Sequence, residues 1–309
     1  MAISLTQPSI GSTSWGTQVN TNFQSIQTAI NAFLAGSAIK TGASVTLTSA
    51  DKCMWLRCAD ASAQAVALPA ANALIAGDVI AVLNDSTPSG TAPIVHTVSR
   101  SGTDTIKGST GSLTSIALLS TNFIILESDG TSTWRIVRSR LETSWIDGGA
   151  ITITATTTAP TKPTTRVRDR MYWRRKRDSM EVRYEWKHTS SAGSAAGSGS
   201  YLFALPFSAD TSHYPNLNTD GESVTDSLVW GACSCGYGGA STTQSTTTLV
   251  TSKATPILNT ATTIAVQVGV NTAGMGASDN RFQSSGWALT LSDLRFSIHV
   301  QLLVSGWAI

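Results

Sequence analysis

The sequence has little charge. Only 13% of its 309 residues are Asp, Glu, Lys or Arg, about half of the roughly 25% typical of globular domains. The net charge is only +2, and a protein that packages nucleic acid needs a larger basic excess. So few acids and bases also leave few candidates for catalysis. These deficits favour a structural or binding role, and we expect neither a nucleic-acid partner nor enzymatic activity.

Cysteine and histidine are scarce as well. The cysteines are Cys53, Cys58, Cys233 and Cys235. Zinc sites usually combine two CxxC-type pairs or add histidines, so we expect ordinary core thiols, no metal and no cofactor. The histidines are His96, His188, His213 and His299. None stands in a catalytic motif and no Gly-x-Ser-x-Gly elbow is present, so we expect His96 and His299, in strand-like runs, to be packed rather than catalytic.

Long apolar runs are also missing. The most apolar stretch, Ala65 to Leu83, is broken by Pro69, Gly77 and Asp78. We therefore expect no membrane-spanning helix and no membrane insertion. The N-terminus has no basic region followed by an apolar run, so no secretion signal is predicted.

Hydroxyl side chains, by contrast, are abundant. Ser and Thr account for 84 of the 309 residues, and the chain has 25 Gly and 9 Trp. Apolar residues reach 41%, too many for a disordered polar tract. Abundant Thr, many turn-forming residues and little charge are typical of a β protein with a neutral polar surface. The composition predicts a mainly β fold.

Residues 1–40 predict a short N-terminal anchoring helix. Its apolar positions recur at spacings of 4, 3, 4 and 3, which is the a/d seam of a coiled coil about two heptads long. Because so short a helix is marginal alone, it needs identical neighbours or a docking surface. A helix packed on its own β domain fits the spacing equally well. The seam residues are Val19, Phe23, Ile26, Ile30 and Phe33.

Residues 41–142 predict a β module. Segments that alternate between apolar and polar residues, such as 44–49, 53–58 and 78–83, are separated by turn residues. A hairpin is predicted at 123–137, with Gly130 in its loop at a position suited to positive φ. The spacing of strands and turns is typical of an antiparallel sandwich or barrel.

A linker and a second β module are predicted beyond this point. Residues 143–165 are rich in Thr and Pro and have little to bury, which predicts an extended linker, with a strand that crosses between the modules as the alternative. Residues 166–309 predict a distal antiparallel β-sandwich or barrel. Its predicted strands lie around 201–205, 227–232, 246–252, 262–270 and 294–304.

A densely charged stretch lies at the beginning of the distal module. Between Arg166 and Lys187 there are nine Lys or Arg against four Asp or Glu, interleaved with Tyr and Trp. Basic stretches with aromatics can bind nucleic acid, but here apolar and charged positions alternate as in a strand with one solvated face. We therefore expect Arg and Glu to pair across or along the sheet. A surface for an anionic partner, such as an acidic glycan, is a further alternative.

Three aromatic residues in or near loop-like, Gly- and Ser-rich sequence are candidate contacts for a glycan: Tyr214, Trp230 and Tyr237. Flat aromatic faces beside polar side chains are what neutral sugars stack on. The alternative is that these residues fill the core of the distal module.

Several motifs, in their order along the chain, resemble those of tailed-bacteriophage fibre and appendage proteins. Ser14–Phe23 resembles the N-terminal segment of many such proteins. Ser101–Gly108 and Ser128–Val137 look like parts of a β module common in these fibres. Trp173–Val182 is similar to the start of a distal fibre domain, and Val304–Trp307 is similar to its closing strand.

The resemblance implies a homotrimeric virion fibre, assembled in the host cytoplasm. Its N-terminal coiled coil would register three chains and contact other structural proteins of the virion, and its distal β domain would face a glycan on the host surface. One alternative is a purely structural head, neck or tail appendage, or a decoration protein, that contacts no receptor. A less favoured alternative is an enzyme that depolymerises a host polysaccharide.

Overall fold

The computed structural model describes Val19, residues 23–24, 37–87, 93–108, 111–213, 230–236, 254–268, 289–290 and 293–307. The fold is mainly β, which confirms the prediction from composition. The chain divides into two compact units, with unit 1 extending to Leu141 and unit 2 running from Glu142 to Trp307. Within the described ranges, no helix is long and apolar enough to cross a membrane.

Unit 1 contains eleven of the described strands, arranged in two sheets. One sheet has seven strands in the order β1-β3-β5-β10-β11-β7-β8, and the other has four in the order β2-β4-β6-β9. The strands are β1 (Ser37–Lys40), β2 (Ser44–Thr46), β3 (Trp55–Cys58), β4 (Ala65–Ala67), β5 (Val79–Asn84), β6 (Val95–Ser99), β7 (Thr105–Lys107), β8 (Ser112–Leu113), β9 (Ser115–Leu119), β10 (Phe123–Ser128) and β11 (Thr133–Arg140). Short 3-10 helices cover Ser49–Asp51 and Ala71–Ala73.

In the first half of unit 1 the chain winds between two sheets of parallel strands, which differs from the antiparallel module that we expected. Strands β1, β3 and β5 pair in parallel in one sheet, while β2, β4 and β6 pair in parallel in the other. The chain reaches each parallel partner by first crossing to the opposite sheet, so short connections suffice where a hairpin would give antiparallel pairs. Antiparallel pairing begins with β7 and β8, and β9 and β10 then pair antiparallel with β6 and β5.

The core of unit 1 draws side chains from both sheets, among them the buried Leu56, Val66 and Trp134. Asn84 is buried at the end of β5, and its amide donates to the carbonyl oxygens of Ile94 (3.0 Å) and Leu118 (2.7 Å). Paired in this way, a buried polar group costs little and fixes the positions of the strands it joins.

The predicted hairpin at the end of unit 1 is confirmed. Strands β10 and β11 pair antiparallel around Gly130, which has φ +76°. A Cβ at this position would lie 2.8 Å from the backbone nitrogen of Ala76. Glycine is thus required here both by the turn and by the close approach of another backbone segment.

Unit 2 is built on one nine-stranded sheet in the order β12-β14-β15-β20-β17-β18-β19-β16-β13. The strands are β12 (Ile146–Gly149), β13 (Ile153–Ala155), β14 (Arg168–Lys176), β15 (Ser179–Lys187), β16 (Tyr201–Ala204), β17 (Trp230–Gly236), β18 (Ala254–Thr260), β19 (Thr263–Val268) and β20 (Arg295–Leu303). All the pairs among the described strands of this sheet are antiparallel. A 3-10 turn covers Thr211–His213.

The sheet of unit 2 curls into a barrel-like shape. Its two edge strands, β12 and β13, are joined by only three residues, 150–152, so the opposite edges of the sheet must approach one another. Across the interior, the hydroxyl of Tyr184 on β15 donates to the carbonyl oxygen of Ala204 on β16, 2.8 Å away. Residues 143–165, predicted as a linker, thus fall within unit 2 and supply two of its strands.

Aromatic side chains fill the interior of unit 2. Trp186 stacks on Phe296 with ring centroids 5.9 Å apart, and Phe203 meets Phe296 edge to face at 5.4 Å. Near the end of the described chain, Trp307 is 3% exposed and contacts Phe207 at 4.9 Å. The guanidinium of the buried Arg175 lies 4.6 Å from the centre of the Trp307 ring. The segment around Trp307 is therefore held against the rest of unit 2 by buried contacts.

Candidate functional site

The charged stretch of the sequence forms two long paired strands in unit 2. Strands β14 and β15 align so that Arg174 lies directly opposite Glu181, and β20 pairs with β15 on its other side. Successive side chains of a strand point to opposite sides, so one side of β14 buries Trp173 while the other exposes arginines. We call the outward side of β14, β15 and β20 the charged face.

Arginine and glutamate pair along the charged face, as the alternation predicts. Arg168 and Arg183 both form ion pairs with Glu185. Arg174 donates to Glu181 at 2.6 Å, and the ammonium group of Lys176 lies 3.4 Å from the same carboxylate. Opposite charges placed across or along a sheet stabilise the strand pair.

The two signs of charge differ in exposure. The side chains of Glu181 and Glu185 are 6% and 9% exposed, whereas those of Arg168 and Arg183 are 56% and 53% exposed. Burial alone would raise the pKa of Glu181, but the hydrogen bonds and charges of Arg174 and Lys176 outweigh it, so the pKa lies below its ordinary value. The charged face therefore presents cations to solvent, with their carboxylates lying beneath them.

An exposed tryptophan stands on this face. Trp145, just before β12, is 42% exposed, and the guanidinium of Arg174 lies 4.8 Å from its ring centre. The ring of His299 on β20 lies 6.2 Å from the Trp145 ring, tilted by 55°. His299 is itself exposed and lies opposite Arg183, so the expectation that it would be packed is wrong. Together, Trp145, Arg174 and His299 form a platform with an aromatic centre and polar sides.

An open cleft of about 440 Å³ lies at the beginning of β14. Three arginines of this region, Arg166, Arg168 and Arg170, line it together with Tyr172 and Asp169. The Asp169 carboxylate is 8% exposed and pairs with Lys162 at 2.9 Å and Arg166 at 3.2 Å. It also accepts a hydrogen bond from the backbone nitrogen of Ile151 at 2.9 Å, which fixes it in the wall of the cleft.

Arg174 lies over the Trp145 ring, so a ligand ring can stack on the part of Trp145 that stays exposed, with hydrogen-bond donors of Arg174 and His299 close by. Aromatic side chains with polar neighbours are common in sites that bind ligands with one apolar and one polar aspect. In the part of the chain that the structure describes, no group of three His, Cys, Asp or Glu side chains is placed to hold a metal ion.

The buried His96 serves the fold. His96 in unit 1 accepts a hydrogen bond from the backbone nitrogen of Gln64 (3.1 Å), and its other ring nitrogen lies 3.2 Å from the carbonyl oxygen of Cys58. Burial lowers the pKa of His96, which keeps it neutral. Burial also raises the pKa of the Cys58 thiol to about 11, so this cysteine stays protonated and unreactive at neutral pH.

Asp210, Ser212 and His213 lie together but are not arranged as a catalytic triad. Both the Ser212 hydroxyl and the Asp210 carboxylate lie 3.2 Å from the same ring nitrogen, Nδ1 of His213. A triad needs the serine and the acid on opposite ring nitrogens. The Ser212 hydroxyl instead donates to Asp210 at 2.6 Å, which caps the turn.

The residues proposed from sequence as glycan contacts are only partly placed by the structure. Tyr214 and Tyr237 lie outside the described residues, and Trp230 opens β17 opposite Gln301. Sequence reasoning missed Trp145 because its neighbours, Arg174 and His299, are distant in sequence. The available signal was a tryptophan just ahead of Asp-Gly-Gly, in a stretch otherwise short of aromatics.

Most of the predicted coiled-coil seam cannot be compared with the structure. Ile26, Ile30 and Phe33 lie outside the described residues, whereas Val19 and Phe23 have a helical backbone. Phe23 is 64% exposed. The coiled coil and the trimer stay predictions.

No family model matches the sequence, and no curated protein matches it. Among solved structures, the Dettilon tailspike protein is similar to this chain, with a TM-score of 0.31 and 12% sequence identity. The similarity covers 86% of this chain and 44% of the tailspike chain, so the chain spans less than half of that protein. A likeness of this degree carries no argument about function.

Proposed function

We propose that this protein is a virion fibre of a tailed bacteriophage that attaches to a host-surface glycan through the charged face of unit 2. The sequence motifs that resemble those of phage fibres support the virion assignment. The observation that carries the attachment role is the exposed Trp145, which contacts Arg174 of β14 and His299 of β20.

The chemistry of the platform suits a sugar. One face of a pyranose ring carries C–H groups that stack on an aromatic ring, while its hydroxyls need donors and acceptors at the periphery. Trp145 offers the ring, and Arg174 and His299 offer polar groups beside it. Because Arg174 and His299 stand on strands of the sheet and hold the Trp145 ring by contact, less conformational entropy is lost when a ligand binds.

A homotrimer is part of the proposal, and unit 1 has a surface that suits it. The inner side of its seven-stranded sheet is buried, yet the outer side also carries large apolar residues. Ile39 is 58% exposed, and Trp55, at 41%, meets Phe123 edge to face. Exposed apolar patches of this kind mark contact surfaces. Ile39 lies on edge strand β1, which directly follows the predicted seam helix, so a second copy brought in by that helix would meet this side of the sheet.

The mass of the purified protein tests the trimer. Three chains of 32.3 kDa give about 97 kDa, and light scattering after size exclusion should show this value. Replacing Phe23 and Ile30 with Asp would place charge in the buried seam and should reduce the mass to that of one chain. A wild-type mass near that of one chain would contradict the trimer.

A purely structural appendage is the second candidate. The ion pairs that cover Glu181 and Glu185 are also what a stable, solvated sheet surface needs. The two roles differ in adsorption, which virions carrying Trp145→Ala can test. The attachment role predicts loss of adsorption in this variant and its retention in Trp145→Phe, which keeps a stacking ring. Normal adsorption of Trp145→Ala virions would favour the structural role.

The proposal includes no hydrolytic step. A glycosidase acid needs a raised pKa and a partner carboxylate about 5–10 Å away, whereas the pKa of Glu181 is lowered by its basic neighbours. Incubation with surface polysaccharides should therefore release no reducing sugar. Sustained release that stops on Glu181→Gln substitution would overturn this part of the proposal.

A further inference from the structure

We propose that the glycan recognised by unit 2 is acidic, and that its carboxylate or phosphate groups bind in the cleft lined by Arg166, Arg168, Arg170 and Tyr172. This inference rests on the proposed attachment function and names the chemical class of its ligand. It follows from the charge of the cleft, from the spacing of its arginines, and from the exposure of Arg168 and Arg170.

The cleft concentrates positive charge in a nearly neutral protein. Its lining carries three arginines against one carboxylate, Asp169, a formal charge of +2. The whole chain of 309 residues carries the same net charge. Asp169 is also paired with Lys162, so its charge is compensated within the wall. A local excess of this kind raises the concentration of anions at the surface.

The arginines are arranged in a row. Arg168 and Arg170 are alternate residues of β14, and alternate residues on one side of a strand are about 7 Å apart. Arg166 precedes the strand, and its guanidinium contacts the carbonyl oxygen of Pro163 (2.8 Å) and the Asp169 carboxylate (3.2 Å). A row of guanidinium groups suits a polymer that carries repeated acidic groups better than it suits a single small anion.

These arginines keep donors available for a ligand. A guanidinium has five N–H donors. Arg168 gives one nitrogen to Glu185 and its side chain is still 56% exposed, while Arg170 makes only a loose 4.0 Å pair with Asp147 and is 53% exposed. Bidentate binding of carboxylate or phosphate is the chemistry to which such exposed guanidinium groups are best suited.

Three matched sugars test the inference: D-glucuronate, D-glucose 6-phosphate and D-glucose. They share a ring and differ in carrying a carboxylate, a phosphate or no charge. Binding is followed by NMR through the side-chain Nε–H signals of the arginines in the full-length protein. The signals of Arg168 and Arg170 are assigned by their loss in Arg168→Gln and Arg170→Gln. A ten-residue oligothymidylate serves as a fourth ligand, since a basic surface with aromatics is also compatible with single-stranded nucleic acid.

We expect the Arg168 and Arg170 signals to shift saturably with one or both acidic sugars in the millimolar range, and not with glucose. The comparison of glucuronate with glucose 6-phosphate identifies which acidic group is preferred. Arg170→Gln should weaken acidic-sugar binding about fivefold. Because the ion pair between Arg170 and Asp147 is loose, this variant should have the same melting temperature as the wild type. Arg138→Gln, which removes an exposed arginine from unit 1, is the control of equal charge and should bind as the wild type does.

Equal shifts with glucose and glucuronate, or none with either acidic sugar, would overturn the acidic ligand. Tight binding of oligothymidylate that outcompetes the sugars would overturn it in favour of nucleic acid. The attachment role itself is judged separately, by the adsorption of Trp145→Ala virions. If adsorption is lost in that variant while no acidic sugar binds, attachment stands and the class of ligand is wrong.

Discussion

The replacement of Trp307 by Ala tests how unit 2 is closed, and Trp145→Ala provides its matched control. Both substitutions remove a tryptophan from the same unit, but Trp307 is 3% exposed and Trp145 is 42% exposed. Trp307 contacts Phe207 and covers the guanidinium of Arg175. Trp145 has its main contacts, with Arg174 and His299, at the surface.

The expected magnitudes follow from burial. Truncating a buried tryptophan to alanine costs about 3–5 kcal/mol, and here it also removes a desolvated contact with Arg175. Burial lowers the pKa of Arg175 to about 9, so its guanidinium is still charged at neutral pH. Removing the Trp307 ring that covers this charge therefore lowers the stability of unit 2 further. For a unit of this size, each kcal/mol shifts the melting temperature by about 2–4 °C, which gives a drop of roughly 6–20 °C.

Trp145→Ala should cost only about 1 kcal/mol, the value of an exposed cation–π contact, and should lower the melting temperature by no more than about 4 °C. Circular dichroism or calorimetry at pH 7 measures both variants. Similar shifts for the two would refute the view that the segment around Trp307 closes unit 2. The small shift of Trp145→Ala also matters for function, because it makes a loss of binding in that variant interpretable.

Three further predictions concern single residues. Glu181 has a lowered pKa in the folded state, so its contribution to the free energy of unfolding is present above its unfolded pKa and is lost as pH falls through the folded pKa. Glu181→Gln should therefore be about 1–2 kcal/mol less stable than the wild type at pH 7. The difference in stability between the two should disappear in unfolding titrations at acid pH. Hydrogen bonds from the backbone nitrogens of the hairpin loop, that of Thr133 above all, lower the pKa of Asp129 to about 2, and carbon-13 NMR of its carboxyl should find it there rather than near 4. Gly130→Ala should destabilise unit 1 by at least about 1 kcal/mol more than Gly102→Ala, since both positions have positive φ but only Gly130 has backbone within 3 Å of the added methyl; equal thermal shifts would contradict this.

The strands themselves could largely be predicted from the sequence. Alternation of apolar and polar residues located β3, β5 and β10, because a half-buried strand needs that pattern wherever its partner lies. The same reasoning correctly gave the ion pairs of β14 and β15. Alternation does not reveal which strands pair, however. The parallel pairing of β1, β3 and β5 therefore differs from the antiparallel module that the sequence predicts for residues 41–142.

Composition was a poor guide to residues 143–165. Their Thr and Pro content indicated a linker, but Ile151 and Ile153 are buried in unit 2. Ile153 lies in edge strand β13 and Ile151 in the connection before it, so a few apolar residues among many threonines are enough for an edge strand when the rest of the sheet already supplies the core. The candidate site was missed for a related reason. Trp145, Arg174 and His299 come from three separate segments, and only the sheet register brings them together.

The most direct test of the account is the binding of the purified protein to an array of bacterial surface polysaccharides, measured for the wild type and for Trp145→Ala. We expect the wild type to bind a subset of the polysaccharides and Trp145→Ala to bind the same subset at least about tenfold more weakly, a loss of about 1.4 kcal/mol. Trp145→Phe should bind nearly as the wild type does. Wild-type binding that is unchanged by Trp145→Ala, or no binding to any polysaccharide, would contradict the assignment of the charged face as the attachment site.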